Sequence, residues 1–428
     1  MFSLPTNLLI KHPIYRNYLA ASTISLLGSN IFDIAMPLYI FNRTQSPMAL
    51  ALVSLGLNLP YFLTAPFTGY TVDHFDKRKV MLVSDIGQAL TMLLLIVYDL
   101  VGSNSLWPIL ILVFAAKTLM ILFETVASFH LIPALVPPES LADANTWFLS
   151  SQRLIQILGP IMGGLLMTVF GFKSCIFANF LSFGATLFFV FRMKNLSHVI
   201  DGDRLNELNP SISPIAIFKN FRESVRYIWR SSLFRPFIFT LFCWNLTCFT
   251  RNSPSVTFYF NGLKNFSPAD YGFVMSLVGF MELLGFFWAT GFYRRFEFAK
   301  TFSGACFWQA AIATIGMCFY GHPFAFAVMF GVSRMGSSII SMGTFLIRQT
   351  EVPRNQIGAV NASIRMHFML SAPLSAIAQG VIIEHLGVGT SFVLGVVTLW
   401  ATFWLSKKVG TAYVGSFGKA DEVSAEAA

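Results

Sequence analysis

Apolar residues in this chain gather into long runs separated by short polar segments, with no sustained two-residue alternation that would suggest strands. A helix needs roughly 20 predominantly apolar residues to cross ~30 Å of hydrocarbon. By that measure the first half predicts spans over 16–41, 48–72, 80–101, 106–130, 147–170 and 174–193. After the longest polar stretch the pattern resumes over 234–259, 269–292, 301–320, 324–347, 357–383 and 388–406. The expected fold class is an all-α membrane protein with twelve transmembrane helices in two pseudo-symmetric six-helix halves. The expected domains are an N-terminal bundle (1–193), a cytoplasmic linker (194–232), a C-terminal bundle (233–407) and a cytoplasmic tail (408–428). Within the linker, Phe218 to Arg230 places Arg222, Arg226 and Arg230 at every fourth position, the pattern of a helix lying along the inner interface.

The halves echo each other. Val136-Pro137 followed by Leu141 and Asn145 recurs, at one constant offset, as Val352-Pro353 followed by Ile357 and Asn361. Ser46-Pro47 before the second run recurs as Ser267-Pro268 before the eighth. Two such recurrences at corresponding places point to a duplicated six-span unit.

Composition agrees and excludes other classes. Hydrophobic residues are 55% of the 428 and charged residues 11%, against the roughly 25% charged residues of a soluble domain. Such a chain cannot cover itself with polar surface in water. The formal charge of +9 could suggest nucleic acid, but its distribution is that of a topology signal. With both ends inside, only Arg43, Lys173 and Lys264 fall outside; Lys117, Arg153, Arg251, Arg334 and Arg365 fall within spans, and the other Lys and Arg residues are cytoplasmic. Both termini are therefore expected in the cytoplasm. The first run is long enough to remain in the membrane, so no cleaved leader is expected. The five cysteines, Cys175, Cys243, Cys248, Cys306 and Cys318, sit in apolar runs without metal-ligand spacing and are read as packing residues. No metal or cofactor is expected. Phosphate-loop, HExxH and GxSxG patterns are absent, so the chain is not expected to be an enzyme. Uphill transport would have to draw on an ion gradient.

Two motifs add chemistry. Between the second and third spans stands Gly69-Tyr-Thr-Val-Asp73-His-Phe-Asp76-Lys77-Arg78-Lys79. Gly69 permits close helix approach, Asp73 can accept from a facing helix N-terminus, and the basic run stays in the cytoplasm. The fifth span carries Gly159-Pro160-Ile-Met-Gly163-Gly164, where proline kinks the helix and small residues admit a close neighbour. An ordinary glycine-rich helix interface is the plainer reading of that stretch.

The first motif resembles the loop signature of the major facilitator superfamily, G-x-x-x-D-(R/K)-x-G-(R/K)-(R/K), with His74 and Asp76 as departures. The second resembles the core of that superfamily's antiporter motif, without its upstream glycine, since Ile155 stands there. Pro133 to Pro137, Leu141, Ala144-Asn145, Gly159-Pro160 and the stretch Gly28 to Pro37 resemble the branch of macrolide-efflux proteins and enterobactin exporters. The resemblance implies a secondary exporter in the inner membrane whose spans one, four, seven and ten line a central cavity. It also implies a cytoplasmic gate at Gly69, Asp73, Asp76, Lys77, Arg78 and Lys79.

Ionisable groups inside spans are expensive, about 2.5–3.5 kcal/mol each at a helix centre on insertion scales, and so usually face a partner or a cavity. Lys117 in the fourth span and Arg334 in the tenth lie near the middle at nearly the repeat offset, and are expected as pseudo-equivalent cavity cations. Asp33 and Arg251, deep and toward the outer side, are expected as a second pair. Glu282, Glu124 and Asp33, in that order, are expected to carry protons, because a buried carboxyl can titrate near neutrality. Asp85 is expected to join a structural network with the basic loop. For each charge the structural alternative is an ion pair fixing helix packing. Three cations against Asp33 and Glu124 would leave the cavity positive and favour an anionic or zwitterionic amphiphile, such as a siderophore or drug. The expected partners are thus a small-molecule substrate, a proton gradient and the bilayer, with no nucleic acid, and the chain acts as a monomer. Rival readings are an importer of a siderophore or nutrient, a lysophospholipid or lipid flippase, and a membrane enzyme or scaffold.

Overall fold

The computed structural model of the protein describes residues 6–74, 77–102, 105–126, 131–192, 222–223, 225–247, 249–250, 253–352 and 357–413. The long elements among them are helices: α1 (Thr6–Lys11), α2 (Pro13–Thr44), α3 (Pro47–His74), α4 (Lys77–Val101), α5 (Trp107–Val126), α6 (Ile132–Leu135), α7 (Leu141–Phe170) and α8 (Phe172–Arg192). They continue as α9 (Phe234–Leu246), α10 (Pro254–Thr257), α11 (Pro268–Arg295), α12 (Phe298–Cys318), α13 (Pro323–Thr350), α14 (Ile357–Met369), α15 (Ser371–Leu386) and α16 (Val388–Ala412). Proline opens α2, α3, α11 and α13, where its missing N–H and fixed φ cost nothing. Gly171 and Gly387, with φ of 80° and 82°, close α7 and α15 in a backbone conformation that side chains resist.

Ten helical stretches among the described residues are long and apolar enough to cross a bilayer: nine lie each within one of these helices, and the tenth, Met366–Leu386, runs from the end of α14 through α15. Large apolar side chains face outward along them, with Ile111 64%, Phe188 66% and Trp404 63% exposed. That surface suits lipid and not water. The expected spans over 234–259 and 301–320 are not among the ten. The second of these is helical as α12, but Thr301, Ser303, Gln309 and Thr314 dilute its apolar character. The first is broken. Its α-helix ends at Leu246, and helix resumes only at Pro254, followed by a π-helical turn over Phe258–Leu263. Pro254 has no N–H for the preceding turn and its ring disfavours helical geometry at Ser253. Ser253 takes the extended conformation and caps the new turn, its side chain accepting from the Val256 N–H. The linker from 194 to 221 and the tail beyond 413 lie outside the described residues.

The chain divides into two compact units, Met1–Pro210 with Phe260–Ser276, and Ser211–Tyr259 with Leu277–Ala428. In the first unit α2 packs on α7 and α8, α4 on α5 and α8, and α3 on α5. Tyr15, Tyr18, Leu131, Ile132, Ala144 and Val190 close one end of its core, where the Tyr15 hydroxyl donates to the Ala144 carbonyl at 2.6 Å. At the other end Asp99 gathers the Tyr39 hydroxyl, Arg43 at 3.8 Å and Lys173 at 3.5 Å, joining α2, α4 and α8. In the second unit α12 packs on α13 and α16, and α9 on α16. Phe234, Phe237, Tyr293, Phe298 and Phe302 fill the core there.

The glycine-proline stretch of α7 is a helix-packing device. A methyl group at Gly159 would lie 2.6 Å from Asn30 Cβ, and one at Gly163 would lie 3.1 Å from the Ile31 carbonyl, so α2 rests directly on this face. At Gly164 a methyl would lie 2.3 Å from the Pro268 carbonyl, and at Gly272 it would meet the Pro160 carbonyl at the same distance. The first turns of α11 therefore touch α7 backbone to backbone. Just beyond Pro160 a hydroxyl enters the helix ladder: the Ile161 N–H donates to Ser276 Oγ at 3.1 Å, and Ser276 Oγ donates to the Ile157 carbonyl at 2.6 Å. An inserted side chain of this kind is a recognised cause of helix bending. Ser276→Ala leaves that N–H and carbonyl without the bridge, so thermal unfolding in detergent should show a loss of about 1–3 kcal/mol. A loss no larger than that of an exposed control such as Thr390→Ala would mean the bridge carries no load.

Candidate functional site

Among the described residues, each unit holds an ion pair at mid-helix. In the first, α2 and α5 bring Asp33 to Lys117. The Lys117 ammonium lies 2.6 Å from Asp33 Oδ1 and donates to Oδ2 at 2.8 Å. The side chains are 7% and 25% exposed, so the ammonium is the more deeply buried partner. Pro37 helps to position the acid: it removes the N–H that would bond the Asp33 carbonyl one turn back, which loosens α2 at this residue. A 10 Å³ cavity beside Lys117 is lined by Ser29, Gln88, Met120 and Asn179 among others.

In the second unit α11 and α13 bring Glu282 to Arg334. Arg334 Nε donates to Glu282 Oε1 at 2.8 Å and Nη2 lies 2.7 Å from the same oxygen. Close approach of the helices is set by Gly285, where a methyl would lie 2.4 Å from the Met335 carbonyl. Ser338 adds a hydrogen bond from its hydroxyl to the Glu282 carbonyl at 2.7 Å. The remaining guanidinium arm, Nη1, donates to the Phe249 carbonyl at 3.2 Å. That carbonyl belongs to the broken segment between α9 and α10, so the helix break supplies an acceptor that an intact span would have withheld. Gln379 holds the other lip of the break, accepting from Ser253 Oγ at 2.5 Å, Ser255 Oγ at 2.8 Å and the Ser255 N–H at 3.2 Å.

These pairings revise the sequence reading. Asp33 is joined to Lys117, and its expected partner Arg251 lies outside the described residues. Lys117 and Arg334 do not stand as surplus positive charge, because each has a carboxylate within 3 Å. Asp85 is 1% exposed and lines a cavity with Glu124, Tyr18 and Gln152, and the side chains of the loop through Lys77, its expected partners, lie outside the described residues. Of the loop motif, Asp76 lies outside the described residues, and Gly69, Asp73 and Lys77 are described only as helix positions. Arg78 is half-buried and Lys79 exposed. Gln88, Ser276, Ser338 and Gln379 were missed because a lone amide or hydroxyl in an apolar run carries no distinguishing pattern. Ser253-Pro254 was the one available signal for the break.

A family profile described as Major Facilitator Superfamily matches residues 18–376. The MFS-type transporter YfiS of Bacillus subtilis is 23% identical over 402 residues, 90% of this chain and 92% of that protein. Macrolide efflux protein A of Streptococcus pyogenes is 28% identical over 194 residues, 45% of this chain and 46% of that one. Enterobactin exporter EntS of Salmonella choleraesuis is 26% identical over 166 residues, 38% and 39% of the two chains. The chain thus spans less than half of those two exporters. Among solved structures, a bacterial homologue of the iron transporter ferroportin in an inward-facing state superposes with a TM-score of 0.74 at 15% identity, covering 93% of this chain and 98% of that one.

Breaking a buried pair by removing one partner typically costs about 3–5 kcal/mol, whereas replacing both partners with apolar residues is often neutral. Lys117→Met should therefore lower thermal stability sharply, and Lys117→Met with Asp33→Leu should recover most of the loss. Additive losses in the double variant would show that the pair is not an energetic unit.

Proposed function

Because the chain belongs to the major facilitator superfamily, a class of multi-pass membrane transporters and not of enzymes, we propose that it is a proton-coupled exporter of a small amphiphilic organic molecule. The proposal places twelve spans, in two six-helix halves, in the inner membrane with both termini cytoplasmic, working as a monomer by alternating access. The loop motif at Gly69, Asp73, Asp76, Lys77, Arg78 and Lys79 would serve as the cytoplasmic gate. The relatives that export macrolides and enterobactin support the direction. The observation that carries the mechanism is the pair of buried salt bridges, Asp33 with Lys117 and Glu282 with Arg334, one in each unit.

The chemistry follows from the pairing. A proton arriving on Asp33 or Glu282 cancels the carboxylate charge and leaves a buried ammonium or guanidinium without its counter-ion. The surrounding helices must then rearrange or admit another anion, which makes proton binding a conformational event. Glu124, on the cavity that Asp85 lines, is a third carboxyl that could pass a proton along α5.

Coupling direction sets the substrate. Antiport requires proton and substrate to exclude each other at one site. A purely anionic substrate would instead bind the freed Lys117 or Arg334, and so would bind together with the proton. Paired cations thus remove the basis for a purely anionic cargo in an exporter. A zwitterion fits, because its cationic group competes with the proton for the carboxylate while its anionic group takes the displaced ammonium or guanidinium. The same linkage defines the second reading: a pure anion travelling with protons would make the protein an importer.

The test is transport in proteoliposomes under a pH gradient, with a panel of zwitterionic, cationic and anionic amphiphiles. Zwitterionic or cationic cargo should move against protons, and Asp33→Asn and Glu282→Gln should each reduce gradient-driven flux by about tenfold or more, the scale of a lost charge-assisted interaction. Anions moving with protons would establish the importer, and unchanged proton coupling in both variants would remove the two pairs from the mechanism.

A further inference from the structure

The first unit contains a second polar site, centred on Asp85, of which the transport reading uses only Glu124. Tyr18, Ser22, Ser25 and Ser29 of α2, Asp85 and Gln88 of α4, Glu124 of α5 and Gln152 of α7 line a cavity of about 50 Å³. Asp85 and Gln88 are 1% and 4% exposed, and Tyr18 is 1% exposed. Asp85 Oδ2 and the Tyr18 hydroxyl are buried without a hydrogen-bond partner among the described residues. A buried carboxylate oxygen left in that state is costly. Lys117, the cation buried among the unit's described residues, is committed to Asp33.

The lining is rich in oxygen lone pairs. Ser22 spends its hydroxyl proton on the Leu19 carbonyl at 3.1 Å, and Gln88 spends an amide proton on the Ser84 carbonyl at 3.3 Å. Their oxygens remain able to accept. The hydroxyl and amide oxygens of this lining, together with one unpartnered carboxylate oxygen, offer hard donors beside the apolar Leu26, Met120, Phe123 and Phe148, and hard donors select hard cations over soft ones. Glu124 makes interactions of its own, and Asp85 Oδ2 is the carboxylate oxygen of this lining left without a partner among the described residues. A proton on Asp85 would need a single acceptor for its O–H, and this lining offers several.

We propose that this cavity binds a monovalent metal cation of sodium size, with Asp85 as its charged ligand and Tyr18, Ser22, Ser25, Gln88 and Gln152 as neutral oxygen ligands. The site lies wholly within the first unit, and its occupancy is independent of which molecule the protein exports.

The probe is sodium chloride, exchanged against choline chloride at constant ionic strength, with thermal unfolding of the full chain in detergent as the readout. A ligand that binds only the folded state raises its melting temperature in a saturable way. Sodium should do so, choline should not, and potassium should do so less. Asp85→Asn should weaken the half-saturating sodium concentration by about tenfold or more, as expected for removing a charged ligand. Gln88→Leu keeps the carboxylate and should weaken it by a smaller factor. If Asp85→Asn does not accumulate, Gln88→Leu decides, and an unchanged sodium response there overturns the proposal. So does a wild-type protein stabilised by acidification alone and indifferent to sodium. Because the readout is binding, a failed transport reading would leave this result standing.

Discussion

A charge inside hydrocarbon must find a partner, and the organisation of both units follows from that requirement. Lys117 and Arg334 sit in helices otherwise built for lipid, and each holds a carboxylate from a different helix at less than 3 Å. To deliver those carboxylates the fold has to bring helices unusually close. Gly285 lets α11 lie against the Met335 backbone, and Pro37 loosens α2 at the turn that carries Asp33. The small residues and prolines are thus means of placing two acids, and not independent features of the sequence.

Such a pair is a poor source of stability and a good switch. Desolvation of both ions offsets much of their attraction, so a pair can be intact and still weakly favourable overall. Removing the charge on one side changes the balance by several kcal/mol at once. Arg334 is especially suited to this role because its third arm already holds the Phe249 carbonyl in the break between α9 and α10. Loss of Glu282 charge would therefore be felt directly at the Phe249 carbonyl of this segment. In the first unit flexibility comes from Pro37 and from the hydroxyl bridge beyond Pro160.

Much of this architecture was legible in the residues. Run length and polar punctuation located the ten stretches long and apolar enough to cross a bilayer, and the matched positions of Lys117 and Arg334 marked both as cations within spans. Their partners were not legible, because pairing depends on how each helix is rotated about its axis. Asp33 was matched to Arg251 on depth alone, while the rotation of α2 turns it to Lys117. Arg334 took its acid from α11, although Lys117 took its own from α2, so the repeat that relates the cations does not relate the acids. Asp85 was assigned to the basic loop because it stands near it in sequence; helix packing turns it into the polar cavity. The break before Pro254 escaped a criterion based on apolar length, since hydropathy counts side chains and takes no account of a missing N–H. Gly159 and Gly163 lie against α2 and Gly164 against α11, a close packing that both the transport motif and a plain helix interface require.

The central claim is that the carboxylates of the two buried pairs are the groups that take up protons. Infrared difference spectroscopy on acidification of the purified protein tests it most directly, because a newly protonated carboxyl has its own carbonyl absorption. The account predicts that this signal appears in the wild type, falls in Asp33→Asn and in Glu282→Gln, and is largely lost when both are combined. A signal of full size in the combined variant would contradict it.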